Sequence, residues 1–117
     1  MTAAHSFKVS VRHLGRTAIV DLRGEINRDA DDALTAAYAE AESGPSASIA
    51  LNFGQVTFIN STGIALIVGL LVRARKNGCP IQVFGLSSHY EKVFRITNLA
   101  HYMTLYPDEA SVLRAVI

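Results

Sequence analysis

Ser48-Ile49-Ala50-Leu51-Asn52-Phe53 decides the fold: it follows a helix-forming stretch that ends at Ser43-Gly44-Pro45-Ser46 and leads through Val56-Thr57-Phe58-Ile59 to Asn60-Ser61-Thr62-Gly63. Its apolar positions alternate with the period of two expected of a strand. A strand reached from a helix implies a crossover and a parallel neighbour. A second helix then opens at Asn60 or Ser61, runs to about Asn77 and stops at Asn77-Gly78-Cys79-Pro80.

Working outward, Phe7, Val9 and Val11 alternate with Lys8, Ser10 and Arg12, the pattern of a half-buried strand. His13-Leu14-Gly15-Arg16 makes a turn, and residues 17–22, Thr-Ala-Ile-Val-Asp-Leu, return antiparallel to it. Gly24-Glu25-Ile26-Asn27 reads as a loop. From Arg28 to Ser43 the chain is Ala-rich and helix-forming, with Asp29, Asp31 and Asp32 in the first turn, where the helix dipole favours negative charge. Ala30, Leu34, Ala37, Tyr38 and Ala41 fall on one face of that helix. Downstream, residues 81–85 form a strand, and Ser88 with Glu91 reads as a capping box for a helix with Val93, Phe94 and Ile96 on its apolar face. Met103 to Tyr106 is a short last strand, and Pro107-Asp108 opens a terminal helix carrying Val112, Leu113 and Val116. Such alternation builds an α/β layer around a largely parallel sheet.

The chain has 117 residues, which fits one domain over 1–117, and half of them are apolar. Eleven Lys and Arg against ten Asp and Glu leave a formal charge of +1, so the excess of basic residues that nucleic acid requires is absent. The longest apolar stretch, Gly63 to Val72, is about half the ~20 residues that span a bilayer. The start, Met-Thr-Ala-Ala-His-Ser-Phe-Lys, lacks the basic and apolar regions of a signal peptide, and a cytoplasmic protein is expected. Cys79 stands alone, so no internal disulfide forms.

Neither Gly-x-x-x-x-Gly-Lys-Ser/Thr nor Gly-x-Gly-x-x-Gly occurs, and Gly63 and Gly69 read instead as points of close helix packing. Ser61 lies at a strand-to-helix junction, but Ile59 occupies the place of the first glycine in Gly-x-Ser-x-Gly. The four histidines, His5, His13, His89 and His101, lack metal-ligand spacing and read as surface residues. Asp21 and Glu25 read as structural or surface carboxylates. No enzyme, metal or cofactor is expected.

Phe58-Ile59-Asn60-Ser61-Thr62-Gly63-Ile64-Ala65-Leu66-Ile67 stands apart. Its hydroxyls sit where a helix leaves four backbone N–H groups unpaired. One reading is an N-cap, for which Asn and Ser are both favoured; the other is a phosphorylation site, where a phosphate would add a charge of roughly −1.5 to −2. Ile64 to Val72 is apolar or Gly throughout, so this helix must be covered on more than one side, by the sheet and by either neighbouring helices or a partner.

These residues resemble the STAS domain, in the form of the small bacterial anti-sigma factor antagonists. Gly24-Glu25-Ile26-Asn27 is similar to the family's Gly-Glu-Leu/Ile-Asp, and Asn60-Ser61-Thr62-Gly63 to its Asp-Ser-Ser/Thr-Gly. Phe84-Gly85-Leu86-Ser87, Val93-Phe94 and Thr97-Asn98-Leu99 continue the match. The resemblance implies a mixed sheet of four or five strands with about four helices packed mainly on one side. It also implies a non-catalytic regulator whose unphosphorylated form binds a serine-kinase-type anti-sigma factor and so releases a sigma factor. Ser61 would be the phosphoacceptor, restored by a phosphatase, and Glu25, Asn27, Asn60, Thr62 and Gly63 would line the binding surface. Asn27 and Asn60 stand where the family usually has Asp, so two negative charges are absent around the serine. The competing implication is a STAS scaffold or accessory subunit of a larger regulatory or transport complex that is never phosphorylated.

Overall fold

Two long strands, β2 (Thr17–Ile26) and β3 (Ser48–Ile59), run parallel from Thr17↔Ser48 to Ile26↔Ile59 and form the spine of the sheet. Helix α1 (Asp31–Ser43), entered through a single 3-10 turn at Arg28–Ala30, makes the crossover that this parallel pairing requires. Strand β1 (Lys8–Leu14) pairs antiparallel with β2 across a turn in which Gly15 takes φ +58. After α2 (Ser61–Asn77), β4 (Ile81–Phe84) pairs parallel with β3, and after α3 (Ser88–Ile96), β5 (Thr104–Tyr106) pairs parallel with β4. The order is β1-β2-β3-β4-β5, a mixed sheet, with a last helix, α4 (Glu109–Val116). The structure is a computed structural model that describes residues 6–116 and the side chains of 6–115; His5 and the side chain of Val116 lie outside that range.

Three helices share one face of the sheet, where Val20, Leu22, Leu51, Phe53 and Val83 meet Leu34, Tyr38, Ile67, Leu71 and Phe94. The five positions expected on one face, Ala30 in the 3-10 turn and Leu34, Ala37, Tyr38 and Ala41 in α1, are all buried. Phe53 and Phe94 cross edge to face with ring centroids 5.9 Å apart, tying α3 to β3. The opposite face carries α4, whose Val112 closes over Ile19, Ala50 and Phe84.

Several local expectations are corrected. Gly24-Glu25-Ile26 is strand rather than loop, and Val56–Ile59 belongs to β3, because these ends pair with each other beyond the reach of β1 and β4. Register shifts between Asp21/Arg23 and Gly24/Glu25 interrupt the alternation, which hides a strand from a period-two reading. The cap of α3 is Ser87, whose hydroxyl oxygen accepts the Tyr90 N–H at 3.2 Å; Ser88 lies inside the helix, and Glu91 pairs with Arg95 instead. Ile96 is 74% exposed, so the apolar face of α3 is Phe94 with half-buried Val93. Gly63 and Gly69 also part company. A Cβ at Gly63 would lie 2.0 Å from the Ile26 carbonyl oxygen, whereas one at Gly69 would meet nothing within 4 Å.

Asp21 and Glu25 serve separate local networks. The Arg12 guanidinium donates to Asp21 at 2.6 and 2.9 Å and to Glu109 at 2.6 Å, and the Asn52 amide donates to Asp21 at 2.7 Å. Burial pushes the Asp21 carboxyl up, but the bonds from Arg12 and Asn52 outweigh it and hold the group below its usual range. A carboxyl depressed in the fold contributes stability above its unfolded pKa of about 3.8 and loses it as pH falls through the lower folded value. Denaturation at pH 6 and pH 3 should therefore show Asp21→Asn losing less stability on acidification than the parent protein. Equal losses would assign the acid sensitivity elsewhere.

Candidate functional site

The ends of β2 and β3 and the start of α2 meet at one pole of the sheet. The Asn60 N–H donates to the Ile26 carbonyl at 3.3 Å, which fixes the first turn of α2 against the last residue of β2. Asn60 is the N-cap: its Oδ1 accepts the Gly63 N–H at 2.8 Å, satisfying one of the helix's free donors. The capping reading therefore holds at Asn60, and the next two hydroxyls are left outside the capping bond. Ser61 and Thr62 are exposed on the first turn. An acceptor at position 60 needs only one oxygen, so Asn does the capping work of an Asp without its charge.

Asn27 has a comparable double role. Its Oδ1 accepts the Asp29 N–H at 2.9 Å, capping the 3-10 turn, while its Nδ2 donates to Glu25 Oε1 at 3.3 Å. An Asp could cap that turn but would place a second carboxylate beside Glu25. Amide and carboxylate at positions 27 and 25 are thus matched to each other.

The structure brings Glu25, Asn27, Asn60, Ser61 and Thr62 to this pole, with Glu25, Asn27 and Asn60 half-buried and the two hydroxyl residues exposed. Gly63 is buried beneath them, so it sets the approach of α2 rather than offering surface. Phe58, paired opposite Glu25, adds a half-exposed aromatic ring at the same end of the sheet. His89 meets Tyr90 and His101 meets Tyr102 edge to face, while His13 Nδ1 lies 3.4 Å from the Ser46 hydroxyl. Among the described residues no group of three or more His, Cys, Asp or Glu is placed to hold a metal ion, and no helix is long and apolar enough to cross a membrane.

Tyr90 belongs to the site although the sequence reading passes over it. Its hydroxyl accepts the Ile59 N–H at 2.8 Å and lies 3.5 Å from the Ile59 carbonyl, anchoring the residue that precedes the cap. Only the fold brings it there, from 31 residues away in α3. Removing the hydroxyl strands a half-buried N–H, so Tyr90→Phe should cost about 1–3 kcal/mol in urea denaturation. Unchanged stability would show that solvent replaces the bond.

A five-stranded mixed sheet with three helices on one face and α4 on the other, displaying a serine on the first turn of α2, is an arrangement of the STAS type. The family model described as "Mlab, STAS domain" matches residues 9–107, and the chain belongs to the STAS domain family. An anti-sigma factor antagonist from Mycobacterium paratuberculosis superposes with a TM-score of 0.82 at 21% identity, covering 99% of this chain and 98% of that one. The Bacillus cell fate determinant SpoIIAA in its phosphorylated form gives 0.70 at 23% identity, over 92% of this chain and 99% of that one. SpoIIAA in its unphosphorylated form, an anti-sigma factor antagonist, gives 0.70 at 19% identity over 92% and 96%. At these identities the likeness shows the fold.

Proposed function

We propose that this protein is an anti-sigma factor antagonist that acts in the cytoplasm. Its unphosphorylated form binds a serine-kinase-type anti-sigma factor through Glu25, Asn27, Asn60 and Thr62, with Gly63 setting the backbone beneath them, and phosphorylation of Ser61 breaks the complex. A phosphatase acting on phosphorylated Ser61 restores the binding form. The observation that carries this reading is the exposure of the Ser61 side chain on the first turn of α2, while the neighbouring Asn60 does the capping. A kinase can reach such a hydroxyl without dismantling the helix start, and the helix tolerates negative charge there. One phosphate of about −1.5 to −2 would also reverse the sign of a chain whose formal charge is +1. Two of the similar structures named above are anti-sigma factor antagonists, and one of these, SpoIIAA, is also known in a phosphorylated form, which supports the same assignment. Intact mass spectrometry after incubation with ATP and the cognate kinase should show one added phosphate, mapped to Ser61 and absent in Ser61→Ala. No mass gain with an active kinase overturns the switch.

A second reading, a constitutive scaffold or accessory subunit of a larger regulatory or transport complex, is favoured by one observation. The amides of Asn27 and Asn60 are committed to caps and leave this pole without the carboxylates usual for the family. It predicts stable co-purification with a larger complex and Ser61 unmodified in cells.

A further inference from the structure

Strand β1 ends the sheet: β2 pairs along one side of it from Lys8↔Arg23 to Leu14↔Thr17, and no strand lies along the other side among the described residues. Its outer edge therefore presents a row of unpaired backbone N–H and C=O groups. The two faces of that edge differ. On the helix side Val9 and Val11, with Phe7 just before them, pack against the core but stay only half-buried, so apolar surface continues to the end of the sheet. On the α4 side Lys8 stands directly opposite Arg23, both exposed, and like charges so placed in an antiparallel pair are destabilising. Neither forms an ion pair among the described residues. Asp21 feels the charge of Arg23 but is already held by Arg12 and Asn52, and Arg12 is shared with Glu109.

We propose that β1 receives an extended acidic segment of a partner protein as a sixth strand, with apolar side chains beside Val9 and Val11 and a carboxylate beside Lys8 and Arg23. Main-chain bonds along the edge supply the attachment, and the alternation of apolar and acidic side chains supplies the selectivity. The two uncompensated cations favour an acidic strand and disfavour a basic one. They also argue against a second copy of this chain, because a twofold pairing of β1 with itself puts Lys8 and Arg12 of both copies on one face. Ser61 opens α2 at the end of β3, and β2 separates β3 from β1, so this surface stands whether or not that serine is phosphorylated.

The test uses the full chain and two synthetic peptides of alternating residues, one Val/Glu and the other Val/Lys. The Val/Glu peptide should shift the backbone amide NMR signals of residues 8–14 and slow their hydrogen exchange, and the Val/Lys peptide should not. Lys8→Glu should weaken the Val/Glu peptide at least about fivefold without lowering the melting temperature, since it ends the conflict with Arg23. A fully N-methylated Val/Glu peptide keeps the charge but cannot donate to the edge, and it should not bind. Binding that survives N-methylation would make the contact electrostatic alone and overturn the proposal. Equal binding of the Val/Glu and Val/Lys peptides, binding of neither, or shifts centred away from β1 would overturn it as well. So would a Lys8→Glu protein that melts lower or binds the Val/Glu peptide undiminished. A dimer in sedimentation whose formation slows the same amides would give the edge to a second copy of this chain, with the same result.

Discussion

Gly63→Ala should destabilise the protein by about 3 kcal/mol or more. The added Cβ would lie 2.0 Å from the Ile26 carbonyl oxygen, 2.8 Å from its carbon and 2.9 Å from Ile59 Cγ2. Only the last of these is a side-chain atom that can move aside. The Ile26 oxygen also accepts the Asn60 N–H, so relieving the clash means lifting α2 off β2 and breaking that bond together with the cap geometry at Asn60. In urea denaturation the midpoint should fall sharply with little change in slope, because the surface exposed on unfolding is nearly the same. Gly69→Ala is the internal comparison: same helix, same substitution, open space instead of backbone, and an opposite sign. A loss under about 1 kcal/mol at Gly63 would show that the helix start can slide, and the fixed position of Ser61 would have to be given up with it.

That pair of glycines also marks how far the sequence carried. Read from the chain alone, both suggested close packing, since spacing along a helix cannot say what stands opposite. The buried face of α1 and the turn before it was legible because five apolar residues recur at helical spacing and every one is covered. The α2 boundaries were legible for a similar local reason: Asn60 caps one end, and Gly78 takes the left-handed conformation, φ 66, at the other. What escaped was non-local. The far ends of β2 and β3 are strands only because they pair with each other, and their register shifts erase the alternation that would have announced them. At the candidate site, the serine, the Asn60 cap and the Glu25–Asn27 segment were all visible as a motif. Their geometry was not, because it depends on Tyr90 in α3 and on a backbone contact between Gly63 and Ile26.

If the proposed function holds, Ser61→Asp should weaken binding to the proposed anti-sigma partner at least about thirtyfold while leaving the fold as stable as before or slightly more so. A carboxylate on the first turn of α2 is favoured by the helix dipole, worth about 0.3–1 kcal/mol at an exposed position. The same charge buried at an interface must lose its water, and an unpaired or like-charged group there costs about 2–5 kcal/mol. Glu25 is already at this pole, with Asn27 donating to it, so a partner that docks here already meets one carboxylate and must now accommodate another. Ser61→Ala removes a hydroxyl that makes no capping bond, because Asn60 supplies it, and should bind like the unphosphorylated protein. Isothermal titration of the two variants against the same partner, with thermal denaturation run in parallel, separates the two effects: stability and affinity should move in opposite directions for Asp. Equal affinities for Ala and Asp would remove Ser61 from the interface. Weaker binding accompanied by an equal loss of stability would mean that the substitution damaged the helix start rather than the recognition surface.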